Sequence, residues 1–72
     1  MSTESQLREL VEQHVEIAGP DEPLELKSLE LVMLAEAIED TFGLRVKAAD
    51  VVPENFGTLS RLIAFVDRSR TA

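Results

Sequence analysis

The chain has 72 residues, of which 14 are acidic and seven are basic, so its formal net charge is −7, and it contains no cysteine. Such an acidic chain repels the phosphates of nucleic acids and of anionic membranes, so we expect neither as a partner. The lack of cysteine excludes thiol catalysis, thiolate metal sites and disulfides, which leaves packed amphipathic helices to hold one small domain together.

Nothing near the N-terminus has the basic-then-apolar pattern of a signal peptide, and the longest apolar run, residues 31–35, is too short to span a bilayer. We therefore expect one soluble, cytoplasmic, monomeric domain over residues 1–72. Residues 1–44 hold eleven acidic residues against two basic ones, a net of −9, whereas residues 45–72 hold three against five, a net of +2. The acidic part should steer the domain towards basic partner surfaces, unless its acidic helix faces are simply solvated.

The first predicted helix opens at Thr3, which forms a capping-box pattern with Gln6. Its apolar residues recur at helical spacing at Leu7, Leu10, Val11, Val15 and Ala18. Gly19 and Pro20 are expected to end this helix, because glycine adopts the left-handed cap and proline cannot continue the hydrogen bonds. The single histidine, His14, has no second histidine or cysteine beside it, so we expect a surface or boundary role and no metal site.

The second predicted helix spans residues 28–42 and is preceded by a polar loop. We expect Leu24 and Leu26 to hold this loop against the core, which makes it an ordered segment. Gly43 supplies the C-terminal cap of the helix. Its core stripe consists of Leu31, Leu34, Ala35, Ile38 and Phe42.

The opposite face of this helix carries an apolar strip within an acidic rim. The strip consists of Leu29, Met33 and Ala37, and the rim consists of Glu30, Glu36 and Asp40. Three apolar residues spaced four apart suggest a docking surface, although single exposed apolar residues are normal on a protein. Ser28 begins the helix beside this strip, so its hydroxyl should point outward, where it is either the site of chemistry or an ordinary helix cap.

The rest of the chain predicts one short helical segment and one last helix. Residues 44–47 have no partner strand and should form an extended loop. Residues 48–52 predict one helical turn ended by Pro53, residues 54–57 predict a bend, and Val51, Val52 and Phe56 should cover the bundle. Thr58 is the expected N-cap of the last helix. In that helix Leu59, Leu62, Ile63 and Val66 form the buried stripe, Phe65 flanks it, and Arg61, Arg68 and Arg70 suit its dipole.

These elements predict an all-α fold, a small antiparallel bundle of three main helices and one short helix. We do not expect catalysis by the chain itself. With one histidine, no cysteine and no glycine-rich phosphate loop, Ser28 has no evident base, and we expect no catalytic residue.

Two stretches of the sequence resemble the acyl carrier proteins. Ser28-Leu29-Glu30 is followed by an acidic amphipathic helix that ends in Phe42-Gly43-Leu44, with the serine-to-Phe-Gly spacing of that family. Residues 50–56, with the sequence DVVPENF, and then Thr58-Leu59 resemble the short third helix and the start of the fourth in stand-alone carriers of polyketide-type pathways. The similarity spans nearly the whole chain.

The resemblance implies that Ser28 accepts 4′-phosphopantetheine from coenzyme A through a phosphopantetheinyl transferase. The thiol of this arm would carry acyl groups as thioesters, which accounts for a carrier without cysteine. The implied partners are acyl-loading, condensing or tailoring enzymes of fatty-acid or polyketide-type biosynthesis with basic docking surfaces. Partners are expected to contact Lys27, Leu29, Glu30, Met33, Glu36, Glu39, Asp40, Val51 and Glu54. The acyl chain is expected to lie among Leu34, Ile38, Phe42 and Ile63.

The sequence departs from the family at two positions. Lys27 stands where carriers usually have aspartate immediately before the serine, and Met33 stands where an acidic residue is common. A positive charge at this point should weaken docking to a basic transferase or indicate an altered partner. Two alternatives remain open at this stage: an unmodified carrier-like adapter in which Ser28 only caps the helix, and a stand-alone peptidyl or aminoacyl carrier.

Overall fold

The computed structural model describes residues 3–71. Within this range it contains four α-helices, α1 (Thr3–Glu12), α2 (Ser28–Phe42), α3 (Pro53–Phe56) and α4 (Leu59–Thr71), with a 3₁₀ turn at Ala48–Asp50 between α2 and α3. The described residues form no β-strand, and a single isolated bridge joins Pro23 to Thr58. The predicted all-α bundle of three main helices and one short helix is confirmed.

One buried cluster of apolar side chains joins all four α-helices. Its members are Leu7, Val11, Leu34, Ala35, Ile38, Phe56, Leu59, Leu62, Phe65 and Val66. A fully buried leucine or valine stabilises a fold by about 1.5–3 kcal/mol, so this cluster accounts for the bundle in a chain without disulfides. Phe65 was predicted to flank the core, but it is only 4% exposed, and its ring centroid lies 5.6 Å from that of Phe56.

Helix α1 is shorter than the sequence pattern predicts. It ends at Glu12, well before Gly19 and Pro20, and the chain turns through a hydrogen bond from the Val15 N–H to the Val11 carbonyl at 3.0 Å. Both Val15 and Ile17 pack against the core. Residues two apart point to nearly opposite sides of a helix, so a continued helix could not have buried both of them.

The loop between α1 and α2 is fastened to the start of α4. The Leu24 N–H donates to the Gly57 carbonyl at 2.8 Å, and the Ser60 N–H donates to the Pro20 carbonyl at 2.9 Å. Leu24 and Leu26 pack against the core, which confirms the prediction of an ordered loop. The predicted N-cap of α4 is also confirmed, because Thr58 Oγ1 accepts the Arg61 N–H at 3.1 Å.

Helix α2 spans Ser28–Phe42 as predicted. Gly43 ends it in the left-handed conformation, with φ 64° and ψ 37°, and donates its N–H to the Glu39 carbonyl. Of the predicted core stripe, Leu34, Ala35 and Ile38 are buried, whereas Leu31 and Phe42 are half-buried at its ends. The helical periodicity therefore identified the buried face of α2 correctly.

The segment after α2 departs from the prediction at Pro53. Residues 44–47 form a loop without regular secondary structure, in which Lys47 is extended, and Ala48–Asp50 forms the expected helical turn. Pro53, however, begins α3 instead of only ending the preceding turn, so residues 54–57 are not a simple bend. Proline is favoured at the first helical position because its missing N–H is not needed there. Asn55 Nδ2 donates to the Asp50 carbonyl at 2.9 Å and ties the two short helices together.

The arginines of α4 also connect helices, in addition to any effect on its dipole. Arg70 Nη1 donates to Thr3 Oγ1 at 2.7 Å, and its guanidinium lies 5.6 Å from the centroid of the Phe42 ring. Arg68 Nη2 donates to Asn55 Oδ1 at 3.2 Å.

Thr3 is already the first residue of α1, so the N-cap of that helix lies outside the described residues.

The longest helix, α2, has 15 residues. None of the helices in residues 3–71 is both long enough and apolar enough to cross a membrane.

Replacing Gly43 with alanine should lower the free energy of unfolding by about 1 kcal/mol, because an L side chain is strained at positive φ. A Cβ built at Gly43 meets no atom within 4 Å, so any loss reports backbone strain and not a clash. The measurement is urea denaturation followed by circular dichroism.

The matched control is Gly19→Ala, where the new Cβ would lie 3.4 Å from the flexible Glu22 side chain. We expect this control to change stability by less than about 0.5 kcal/mol. Equal losses in the two variants would contradict the assignment of Gly43 as a left-handed cap.

Candidate functional site

Ser28 occupies the first position of α2, and Lys27 occupies the N-cap. The Lys27 N–H donates to Glu30 Oε1 at 2.9 Å, so a side chain from the first turn of the helix satisfies this backbone donor. The Lys27 ammonium is a donor only and cannot accept hydrogen bonds from the helix N–H groups. Ser28 lies one position after the N-cap and its hydroxyl accepts no hydrogen bond from the described residues, so the interpretation of Ser28 as an ordinary helix cap is wrong.

The Ser28 side chain is exposed, and its hydroxyl has no hydrogen-bond partner among the described residues. The first turn of α2 fixes its backbone, because the Leu31 N–H already donates to the Lys27 carbonyl at 2.9 Å. A rigid backbone and an unengaged hydroxyl make Ser28 accessible to an enzyme that modifies it. No carboxylate or imidazole in residues 3–71 forms a hydrogen bond with this hydroxyl that could remove its proton.

The exposed apolar surface beside Ser28 is rotated relative to the predicted strip. Leu29 is 71% exposed, Val32 is 54% exposed and Met33 is 47% exposed, whereas Ala37 is half-buried. Positions four apart drift by about 40° per step around a helix, so Ala37 turns towards its neighbours, while Val32 lies beside Leu29. Val32 was missed because it stands inside the apolar run 31–35, where helical spacing alone does not distinguish the two faces.

The acidic residues of α2 differ in what they offer to a partner. Glu36 and Asp40 are exposed, as expected of a recognition surface. Glu30 and Glu39 are half-buried and accept backbone hydrogen bonds, Glu39 Oε2 from the Val46 N–H at 2.8 Å. The carboxylate of Glu39, predicted to contact partners, thus fastens the following loop to α2. Two residues outside α2 were also predicted to contact partners. Glu54 is exposed, whereas Val51 is half-buried and lines an apolar cleft.

An apolar cleft of about 250 Å³ opens between the loop before α2 and the segment around α3. It is lined by Pro23, Leu24, Leu26, Leu31, Val51, Val52, Pro53, Phe56 and Gly57. Two of these residues, Leu26 and Leu31, bracket Ser28 in the chain. The cleft therefore lies beside the first turn of α2, the turn that begins at Ser28.

The predicted acyl-chain residues do not line this cleft. Leu34 and Ile38 are fully buried in the core, and Phe42 and Ile63 are half-buried against it. The cleft is formed instead by contacts between the loop and α3. The alternation of Leu24 and Leu26 in the sequence was the one signal that could have indicated it.

A second cleft, of about 540 Å³, lies on the loop after α1 and carries three carboxylates. Its lining residues are Val15, Glu16, Ile17, Ala18, Glu22, Pro23 and Glu25. Within residues 3–71 no group of three or more His, Cys, Asp or Glu side chains is arranged to hold a metal ion. His14 is half-buried at the end of α1.

The chain matches no protein-family model, no curated protein and no solved structure at a level that would establish a relationship.

Replacing Glu39 with alanine should lower the free energy of unfolding by about 1–2 kcal/mol, because the Val46 N–H loses its charged acceptor. Glu39→Gln keeps an acceptor oxygen and should recover most of this loss. The measurement is urea denaturation of both variants and of the wild type.

Asp40→Ala is the control, because Asp40 is exposed and has no hydrogen-bond or ion-pair partner among the described residues. It should change stability by less than about 0.5 kcal/mol. If Glu39→Ala proved as neutral as Asp40→Ala, the structural role of Glu39 would be rejected, and its carboxylate would be available to partners.

Proposed function

We propose that this chain is an acyl carrier protein in which Ser28 carries a 4′-phosphopantetheine arm. The single observation that supports this most is the exposed Ser28 hydroxyl, which is held at the first position of α2 without a hydrogen-bond partner among the described residues. A serine kept for packing or capping would be buried or bonded. Ser28 is neither.

The surroundings of Ser28 fit a phosphate ester. The N-terminus of a helix carries a partial positive charge and unpaired N–H groups, and both stabilise an anion there. Lys27, exposed and adjacent in the chain, adds a full positive charge. The departure from the usual aspartate therefore favours the product of modification electrostatically, even though it opposes a basic modifying enzyme.

In this modification the chain supplies only the nucleophile, which is the Ser28 hydroxyl. The Ser28 oxygen would form a bond to the phosphorus of coenzyme A that bears the pantetheine arm, its proton would leave, and the adenosine bisphosphate portion would depart. Because no base in the described residues contacts Ser28, the proton acceptor must come from the transferase. When bound, the arm supplies a thiol that holds acyl groups as thioesters.

The apolar cleft supports a carrier of apolar cargo. Its residues Leu26 and Leu31 precede and follow Ser28, and its wall is completed by Val51 and Phe56. A volume of about 250 Å³ is small beside the clefts of about 300–1,000 Å³ that hold drug-sized ligands. We therefore propose that any acyl chain held here is short, and that longer chains require the helices to separate.

The second candidate is a carrier-like adapter that is never modified. The exposed Leu29, Val32 and Met33 favour it, because such a surface could bind a partner whatever the state of Ser28. The two functions differ in one respect only, which is whether the hydroxyl is used.

Incubation with coenzyme A and a broad-specificity phosphopantetheinyl transferase should raise the intact mass of the protein by one arm. Ser28→Ala should abolish the increase, because the nucleophile is removed. Intact-mass spectrometry measures both.

The matched control is Ser5→Ala, which removes another exposed serine hydroxyl and should leave the increase unchanged. If no transferase, including any encoded near the gene, modifies the wild type, the adapter replaces the carrier as the better account.

A further inference from the structure

The surface immediately around Ser28 is less acidic than the composition of the chain indicates. Within residues 27–35 the exposed side chains are Lys27, Ser28, Leu29, Val32 and Met33. The one acidic residue in this range, Glu30, is half-buried with its carboxylate bonded to the Lys27 N–H at 2.9 Å. Along residues 27–35 a partner therefore meets three apolar side chains and one cation beside Ser28.

The nearest exposed acid on the same helix is too far away to dominate that encounter. Glu36 lies eight residues beyond Ser28, which is about 12 Å along the helix axis, and Asp40 lies about 18 Å away. At physiological ionic strength exposed charges are largely screened beyond about 8 Å. Lys27, adjacent to Ser28, is within that distance.

The acids of the preceding loop face another part of the surface. Glu25 lines the second cleft with Glu16 and Glu22, whereas its neighbours Leu24 and Leu26 line the apolar cleft. This alternation is that of an extended segment with two sides. Glu16, Glu22 and Glu25 thus line a different cleft from the apolar one that includes Leu26 and Leu31.

We infer that the enzyme surface that docks around Ser28 is an apolar groove with a carboxylate facing Lys27, instead of the basic surface expected from the resemblance. This inference rests on the proposed function, because it concerns the partner that acts at Ser28. The apolar contacts supply most of the affinity, since desolvated apolar anchors dominate interfaces while exposed ion pairs contribute little. The carboxylate on the enzyme provides selectivity, because an enzyme with a basic group at that position would be repelled by Lys27.

The test measures kcat/KM for modification of Ser28 by a broad-specificity transferase with a basic rim, and by variants of it in which one rim residue at a time is changed to Glu. Lys27→Asp should be modified roughly fivefold faster than wild type by the unaltered transferase, because repulsion is removed. At least one Glu variant should modify wild type roughly fivefold faster than the unaltered enzyme does. For Lys27→Asp the order should reverse, so that the unaltered transferase is faster than that Glu variant.

The apolar part is tested by Val32→Ser and Met33→Ser, which should each lower kcat/KM by about fivefold or more. Glu36→Gln and Asp40→Asn should each have a smaller effect, and Glu12→Gln on α1 should have none. All five residues are exposed, so their variants should unfold at the same urea concentration as wild type.

Four results would overturn the inference. An unchanged rate for Lys27→Asp, or larger losses from Glu36→Gln and Asp40→Asn than from the apolar substitutions, would reject the docking surface while Ser28 modification stands. A dimer in sedimentation that Met33→Ser dissociates would show that a second copy covers this face. Absence of any modification of wild type would reject both this inference and the carrier function.

Discussion

The position of the candidate site depends on a pair of hydrogen bonds that cross between the loop before α2 and the start of α4. The Leu24 N–H donates to the Gly57 carbonyl at 2.8 Å, and the Ser60 N–H donates to the Pro20 carbonyl at 2.9 Å. They fasten a long irregular segment to the region around the start of α4, in addition to its apolar contacts with the core. Because this segment ends at Lys27, its attachment helps to position the first turn of α2, which carries the exposed Ser28.

Helix α2 contributes side chains both to the core and to the exposed surface beside Ser28. Its inner face supplies Leu34, Ala35 and Ile38 to the core, and its outer face exposes apolar side chains beside the serine. The acids do not all belong to the outer face, since Glu30 and Glu39 each accept a backbone N–H. The surface near Ser28 is therefore less acidic than the formal net charge of −7 for the whole chain indicates.

Local patterns predicted much of this fold, because they depend on residues close in the chain. The bounds of α2, its glycine cap at Gly43 and the N-cap Thr58 follow from spacing and from backbone preferences. The early end of α1 could not be predicted in this way, since it accompanies the packing of both Val15 and Ile17 against a core formed by all four helices. The same holds for the apolar cleft, which needs the contact between Leu24 and Gly57, and for Phe65, which Phe56 covers.

The proposed function requires that Ser28, and no other hydroxyl, is the attachment point of the arm. The most direct test co-expresses the chain with a phosphopantetheinyl transferase, digests the product and locates the added mass by fragmentation of the peptides. We expect one arm, on the peptide that contains Ser28, and no added mass on the other peptides. An arm on another exposed hydroxyl, such as that of Ser5 or Thr41, would contradict it.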